Sequence, residues 1–181
     1  MAKTYNTLGT VAPGDVLRAN SGTAAYNGVI TNVNNYRVPP LCSLFRNSAL
    51  SHTSNGNYQS VAWDSQHFTQ TDSGMWAASP NPTRITLVTA GAYQVTATAT
   101  PGASATGLRI AAIYKNGAAA AYGDTTPGNA TVSYTNVSAL IESDGDDYVE
   151  LFVFQSSGGN IAYSVGASTM RFTAAWLGQT T

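Results

Sequence analysis

Gly91-Ala92-Tyr93-Gln94-Val95-Thr96-Ala97-Thr98-Ala99-Thr100 decides the class of fold. Tyr93, Val95, Ala97 and Ala99 alternate with Gln94, Thr96, Thr98 and Thr100. A period of two places the first set on one face of a strand and the second on the other. The same period recurs along the chain. Leu108, Ile110, Ala112 and Tyr114 are expected to form a second apolar face, and Val149, Leu151 and Val153 a third. Ile161, Tyr163 and Val165 form a fourth, and Met170, Phe172, Ala174 and Trp176 a fifth. Shorter strands are expected over 41–46, 60–64, 84–88 and 131–141, the last with a bulge near Asn136, where the phase of alternation slips. Turn signals separate these runs. They include Asn55-Gly56, Pro101-Gly102, Asp144-Gly145-Asp146 and Ser157-Gly158-Gly159-Asn160, and Asn116-Gly117 is the strongest two-residue hairpin signal. Eight to ten strands with no helical pattern after residue 40 predict an all-β sandwich or barrel.

The first 40 residues differ from the rest. Tyr26, Val29, Ile30 and Val33 stand at i, i+3, i+4 and i+7, one face of an amphipathic helix. Gly28, Asn32, Asn34 and Asn35 weaken that helix, so it needs something to pack on. An extended arm is the alternative. Pro39-Pro40 ends the segment in either case. The predicted organisation is an arm over residues 1–40, packed through Tyr26, Val29, Ile30 and Val33, and a β domain over residues 41–181.

Composition excludes several classes. Eight Lys and Arg against nine Asp and Glu give a net charge of -1, so no electrostatic footprint for nucleic acid is present. No apolar run approaches the roughly 18 residues of a membrane helix, and no secretory leader is visible at the start. The expectation is a soluble protein made in a cytoplasm. Charged residues are 9% of the chain, where about 25% is usual, while 43% are apolar. A surface so poor in charge suits a protein that hides much of it in an assembly. One cysteine, Cys42, excludes an intrachain disulfide and a cysteine-based zinc site.

One strand carries more. Tyr148, Glu150, Phe152 and Phe154 lie opposite Val149, Leu151 and Val153. If the aliphatic set fills the core, three aromatic rings are left outside, and soluble monomers seldom expose such a patch. Tyr148, Phe152 and Phe154 are therefore candidate subunit-interface residues; a loop or the arm lying over them is the alternative.

Few residues point to chemistry. His52 and His67 lack the three or four convergent ligands of a metal site. No strained serine elbow, phosphate loop or zinc-protease helix motif occurs. The acidic turn Asp144-Gly145-Asp146-Asp147 is a solvated turn or a calcium site, but it lacks the spacing of a helix-loop-helix calcium loop. Neither an enzyme nor a cofactor or metal is expected. Tyr58 and Trp76 stand in a long segment rich in Ser, Asn and Gln. Aromatic rings amid amides suit recognition of a sugar or partner surface. Trp63, in strand-like alternation with Val61, is expected in the core, and for Trp76, between Gly74 and Ala77, the core is the open alternative.

Several motifs together resemble a known family. Gly91-Ala92-Tyr93-Gln94-Val95, then Ile113-Tyr114-Lys115-Asn116-Gly117, then Val137-Ser138-Ala139-Leu140 followed by Gly145-Asp146-Asp147-Tyr148-Val149-Glu150-Leu151, resemble the C1q/TNF-type jelly roll in order. Phe172-Thr173-Ala174-Ala175-Trp176-Leu177-Gly178 resembles its terminal strand. The resemblance implies a two-sheet jelly roll assembling as a homotrimer. Pro13-Gly14-Asp15-Val16-Leu17-Arg18-Ala19-Asn20, with Leu41-Cys42-Ser43-Leu44-Phe45-Arg46-Asn47 and Ser79-Pro80-Asn81-Pro82-Thr83-Arg84-Ile85, resembles small virion proteins of tailed bacteriophages. That resemblance implies a non-enzymatic protein on the virion surface, made in the host cytoplasm and docked by its arm on other capsid or tail proteins. Resemblance favours a minor tail protein; the shortness of the arm favours a head decoration. Contact with host-surface glycans is the companion expectation, and a carbohydrate-binding module is the alternative reading.

Overall fold

The computed structural model describes residues 38–54, 56–72 and 74–180. The arm-packing residues Tyr26, Val29, Ile30 and Val33 lie outside the described residues. From residue 38 onward the described residues contain strands and no helix. The all-β expectation is met.

Among the described residues, thirteen strands build two main sheets and a small one. The first sheet has the order β10 (Thr135–Ser143), β6 (Gly91–Ala99), β13 (Arg171–Gly178), β1 (Leu41–Phe45) and β4 (Ser65–Gln66), all antiparallel. The second runs β3 (Gln59–Ser60), β11 (Asp147–Gln155), β7 (Ser104–Lys115) and β8 (Ala118–Tyr122). In it β5 (Arg84–Leu87) also pairs with β11, and β9 (Thr126–Asn129) with β7. At one end β2 (Leu50–His52) pairs with β12 (Ile161–Tyr163).

Alternation explains the layering. Tyr93, Val95, Ala97 and Ala99 of β6 are buried and pair with Trp176, Ala174 and Phe172 of β13 and with Ile141, Ala139 and Val137 of β10. Val149, Leu151 and Val153 of β11 face them from the second sheet, with Ile85 and Leu87 of β5. Met170 lies in the same core, and Trp63 stacks on Phe172 at 5.7 Å between ring centres. The hairpin at Asn116-Gly117 forms as predicted, with φ of 51° and 80°, the two positive angles that a two-residue turn of this hand demands.

Three expectations need correction. In β7 the alternation is right but the face is wrong: Arg109, Ala111 and Ile113 point into the core, while Leu108, Ile110 and Tyr114 point outward. The register with β11 imposes this, since Leu151 lies opposite Ile113 and Phe152 opposite Ala112. Arg109 is tolerated inside because its guanidinium donates to the carbonyls of Ser104, Thr106 and Leu108. Those carbonyls lie where the pairing of β7 with β9 is irregular. The bulge expected at Asn136 is absent: β10 pairs with β6 in unbroken register from Thr135 to Ser143. The slip in alternation arises because residues 131–134 precede the strand. Over 60–64 the strand stops at Ser60, although Val61 and Trp63 are buried as a strand would bury them.

Candidate functional site

The outer face of the second sheet collects aromatic rings. Phe152 and Phe154 of β11 point away from the core, and the antiparallel register sets them across from Ala112 and Ile110 of β7. Ala112 in turn lies across from Tyr122 of β8. Tyr114 of β7 stacks on Phe152 with ring centres 4.1 Å apart. Tyr58, just before β3, stands among the rest: 5.3 Å from Phe154, 5.7 Å from Tyr122 and 6.2 Å from Tyr114. Offset and tilted rings at these separations attract one another beyond their area burial. Tyr122 remains 60% exposed and Leu108, on the same face, 43%. Burial, then the neighbouring Tyr122, raises the Tyr58 and Tyr114 hydroxyls, and Tyr58 adds to the effect at Tyr114.

The structure thus brings Phe152, Phe154 and Tyr58 together and adds Tyr114 and Tyr122, which sequence reasoning missed. Tyr114 is missed because its strand was assigned the opposite face. The Asn116-Gly117 turn was the available signal for Tyr122, because it folds β8 back alongside β7. Tyr148 stands apart. The Arg84 guanidinium lies 3.9 Å from its ring centre, and Arg84 Nε is 3.7 Å from the Glu150 carboxylate, which also accepts from Thr83. Glu150 separates Tyr148 from Phe152 along the strand.

Trp76, expected as an exposed recognition ring, is instead largely enclosed. It is 9% exposed; its indole N–H donates to the Pro82 carbonyl, and Gln70 holds its backbone at both N–H and C=O. The side chain closes the core under the 74–82 loop.

The outer face of the first sheet differs in kind. Ser138, Thr96, Thr173 and Ser43 pair across four adjacent strands in one row. Hydrogen bonds from Gln94 to Ser138, between Thr98 and Asn136, and between Ser43 and Thr173 join neighbouring strands across it. This face offers hydroxyls, amides and the side chains of Ala92 and Ala175, with few charges.

The histidines sit in separate surroundings. His52 is buried edge-on against Tyr163 and bonds Gln59 through Nδ1; His67 packs on Phe45 and accepts from Arg171. Burial lowers both, and positively charged Arg46 and Arg171 respectively add to the effect. Among the described residues the one cluster of three potential metal-ligating side chains is Asp144, Asp146 and Asp147, with ligand atoms within 4.8 Å of one another. Asp147 is already engaged: Lys115 Nζ lies 2.8 Å away and the Asn116 amide donates to it. Burial works to raise the Asp147 carboxyl, but the bonds from Lys115 and Asn116 hold it down at about 2. The Asp144 carboxyl, by hydrogen bond and by charge, raises Asp146.

No family model matches the chain, and no curated protein matches it. Solved structures do match. The globular domain of zebrafish complement 1qA is similar over 78% of this chain and 98% of its own, at 13% identity and a TM-score of 0.55. Murine APRIL is similar over 76% of this chain and 98% of its own, at 9% identity and a TM-score of 0.58. The Eiger TNF of S. frugiperda is similar over 78% of this chain and 96% of its own, at 11% identity and a TM-score of 0.56. Identities this low speak to fold, and the fold is the C1q/TNF-like jelly roll expected from the sequence.

Proposed function

We propose that this chain is a non-enzymatic structural protein: a homotrimeric jelly-roll knob on the exterior of a tailed-phage virion, docked by its N-terminal arm as a capsid decoration, head spike or minor tail protein. The observation that carries the assembly is the cluster of Tyr58, Tyr114, Tyr122, Phe152 and Phe154 on an outer sheet face. Aromatic residues are enriched and charged ones depleted at interface centres, and this face has that composition. The 9% charge content supports the same reading. The virion location is supported by the resemblance of residues 13–20, 41–47 and 79–85 to phage virion proteins.

A ring of three imposes a further condition. Its contacts are heterologous, so each protomer presents two different patches that fit one another. The aromatic cluster at the β8 side of the second sheet is one. The weakly charged row of Ser138, Thr96, Thr173 and Ser43 is the second, a flat surface on which rings with hydroxyl tips find both contact area and hydrogen-bond partners.

Two experiments test this. The solution mass of the full chain reads the trimer, and a chain carrying Phe152→Ser and Tyr122→Ser is expected to be a folded monomer. Deleting residues 1–38 is expected to leave the knob folded and trimeric while abolishing its incorporation into particles. Full incorporation of the truncated chain would place docking in the knob.

A further inference from the structure

A cavity of about 190 Å³ opens beside the acidic turn, between the 74–82 loop and the outer ends of β5 and β11. Its apolar floor is the accessible edge of Trp76 with Ala77 and Pro80, while Met75 is wholly buried. Its walls are pinned. Thr86 N–H donates to the Met75 carbonyl at 2.7 Å, and the Trp76 indole donates to Pro82. Around the rim stand Asn81, Arg84, Thr86, Asp146 and Tyr148.

The polar groups of the rim are largely uncommitted. Glu150 and the face of Tyr148 fix the Arg84 guanidinium, yet its Nη groups have no protein partner among the described residues, and the side chain is 38% exposed. The side-chain groups of Asn81 and Thr86 and the Tyr148 hydroxyl are likewise without a hydrogen-bond partner among the described residues. Asp146 is exposed and bonds the Asp144 carboxyl, and its carboxyl oxygens are open to further bonds from solvent or a ligand. The rim therefore mixes a cationic donor, an anionic acceptor, an amide and two hydroxyls around a small apolar floor.

That mixture selects its ligand. A free anion gains from Arg84 and loses to Asp146, and a free cation does the reverse. A neutral polyol gains from both, because each hydroxyl donates and accepts. The apolar floor adds a surface for the C–H face of a ring. We propose that this cavity is a subsite for one neutral pyranose residue, with Arg84 and Asn81 donating to its hydroxyls, Asp146 accepting from them, and the floor of Trp76, Ala77 and Pro80 under the ring. The proposal does not use the trimer: Tyr148 and Arg84 lie outside the ring cluster of Tyr58, Tyr114, Tyr122, Phe152 and Phe154. It gives a knob on a particle surface a contact for a sugar-coated cell.

The test is ligand-observed NMR on the full chain with glucose, galactose, mannose and N-acetylglucosamine as separate probes, and glucuronic acid as the charged comparison. Saturable binding of at least one neutral sugar is expected, with a Kd on the order of 1 mM for a single residue. Asp146→Asn and Arg84→Gln are each expected to weaken it about tenfold or more, and Asn81→Ala by less. Circular dichroism and the melting temperature check that each variant is folded. Asp146 and Asn81 are exposed, so those two variants keep the test valid if Arg84→Gln disturbs the Glu150 contact. No saturable binding by any neutral sugar overturns the proposal. So does binding that Asp146→Asn and Asn81→Ala leave unchanged, or binding confined to glucuronic acid.

Discussion

Tyr122→Ser separates the assembly from the fold. The Tyr122 ring is 60% exposed in the protomer, so most of its apolar area is available to a neighbour and little is already used. An enclosed aromatic side chain buries about 150–250 Å², so about 90–150 Å² is left for the interface. At about 25 cal/mol per Å² this is about 2–4 kcal/mol per ring. Three equivalent contacts in a trimer lose at least about 6 kcal/mol together, about four decades in the monomer–trimer constant. Within the protomer the ring touches Tyr58 at 5.7 Å, and losing that contact costs about 0.5–1.5 kcal/mol. Sedimentation equilibrium over a dilution series reads the first quantity, and melting at concentrations where the variant is monomeric reads the second. The expected variant is folded and dissociates at concentrations where the parent remains trimeric. A variant that dissociates no more readily than the parent would refute the placement of this face in the interface.

Further predictions concern the fold. Arg109→Met removes the guanidinium that serves the carbonyls of Ser104, Thr106 and Leu108. Charge-assisted hydrogen bonds contribute about 1.5–3 kcal/mol each, offset in part by relief of burying the charge, so a net loss of about 2–4 kcal/mol is expected in denaturant titration. A variant as stable as the parent would show that desolvation of the charge cancels its bonds. Gly107→Ala is expected to lower stability or solubility sharply, because φ is +75° and the new methyl would stand 2.0 Å from the Ser156 carbonyl oxygen. Acid is expected to destabilise the knob in two stages. Burial lowers His52, so its contribution is present above about 6.5 and is lost as pH falls through the folded value, and His52→Gln should flatten this stage. Asp147 is held at about 2, so its contribution is present above about 4 and is lost as pH falls towards 2, and Asp147→Asn should remove that stage. Melting temperature against pH checks both.

Strands whose two faces differ strongly in polarity were legible. Tyr93–Ala99 has threonines opposite its core residues, and Phe172–Trp176 has small residues opposite, so period and face follow together. In β7 both faces are apolar, and the more apolar one, Leu108 to Tyr114, is the outer one. Hydrophobicity alone misplaces such a strand; its register with β11 settles the face. Trp76 was ambiguous because the loop that buries it is held by irregular bonds that leave no periodicity, among them Thr86 to Met75 and Gln70 to Trp76. The aromatic site was half legible. Phe152 and Phe154 follow from one strand, whereas Tyr58 and Tyr122 reach the cluster only through pairing of β3 with β11 and of β8 with β7. Of the proposed sugar subsite only Trp76 was legible in the sequence, since its rim comes from the 74–82 loop, β5 and the acidic turn.

The central claim, that this jelly roll is built to assemble through its aromatic face, is tested most directly by the solution mass of the 181-residue chain at micromolar concentration. Multi-angle light scattering is predicted to give three times the 18.8 kDa of the chain, and the Phe152→Ser, Tyr122→Ser double variant is predicted to give 18.8 kDa with its circular dichroism unchanged. A parent chain that runs as a stable 18.8 kDa monomer, with Phe152 and Tyr122 left in solvent, would contradict the account.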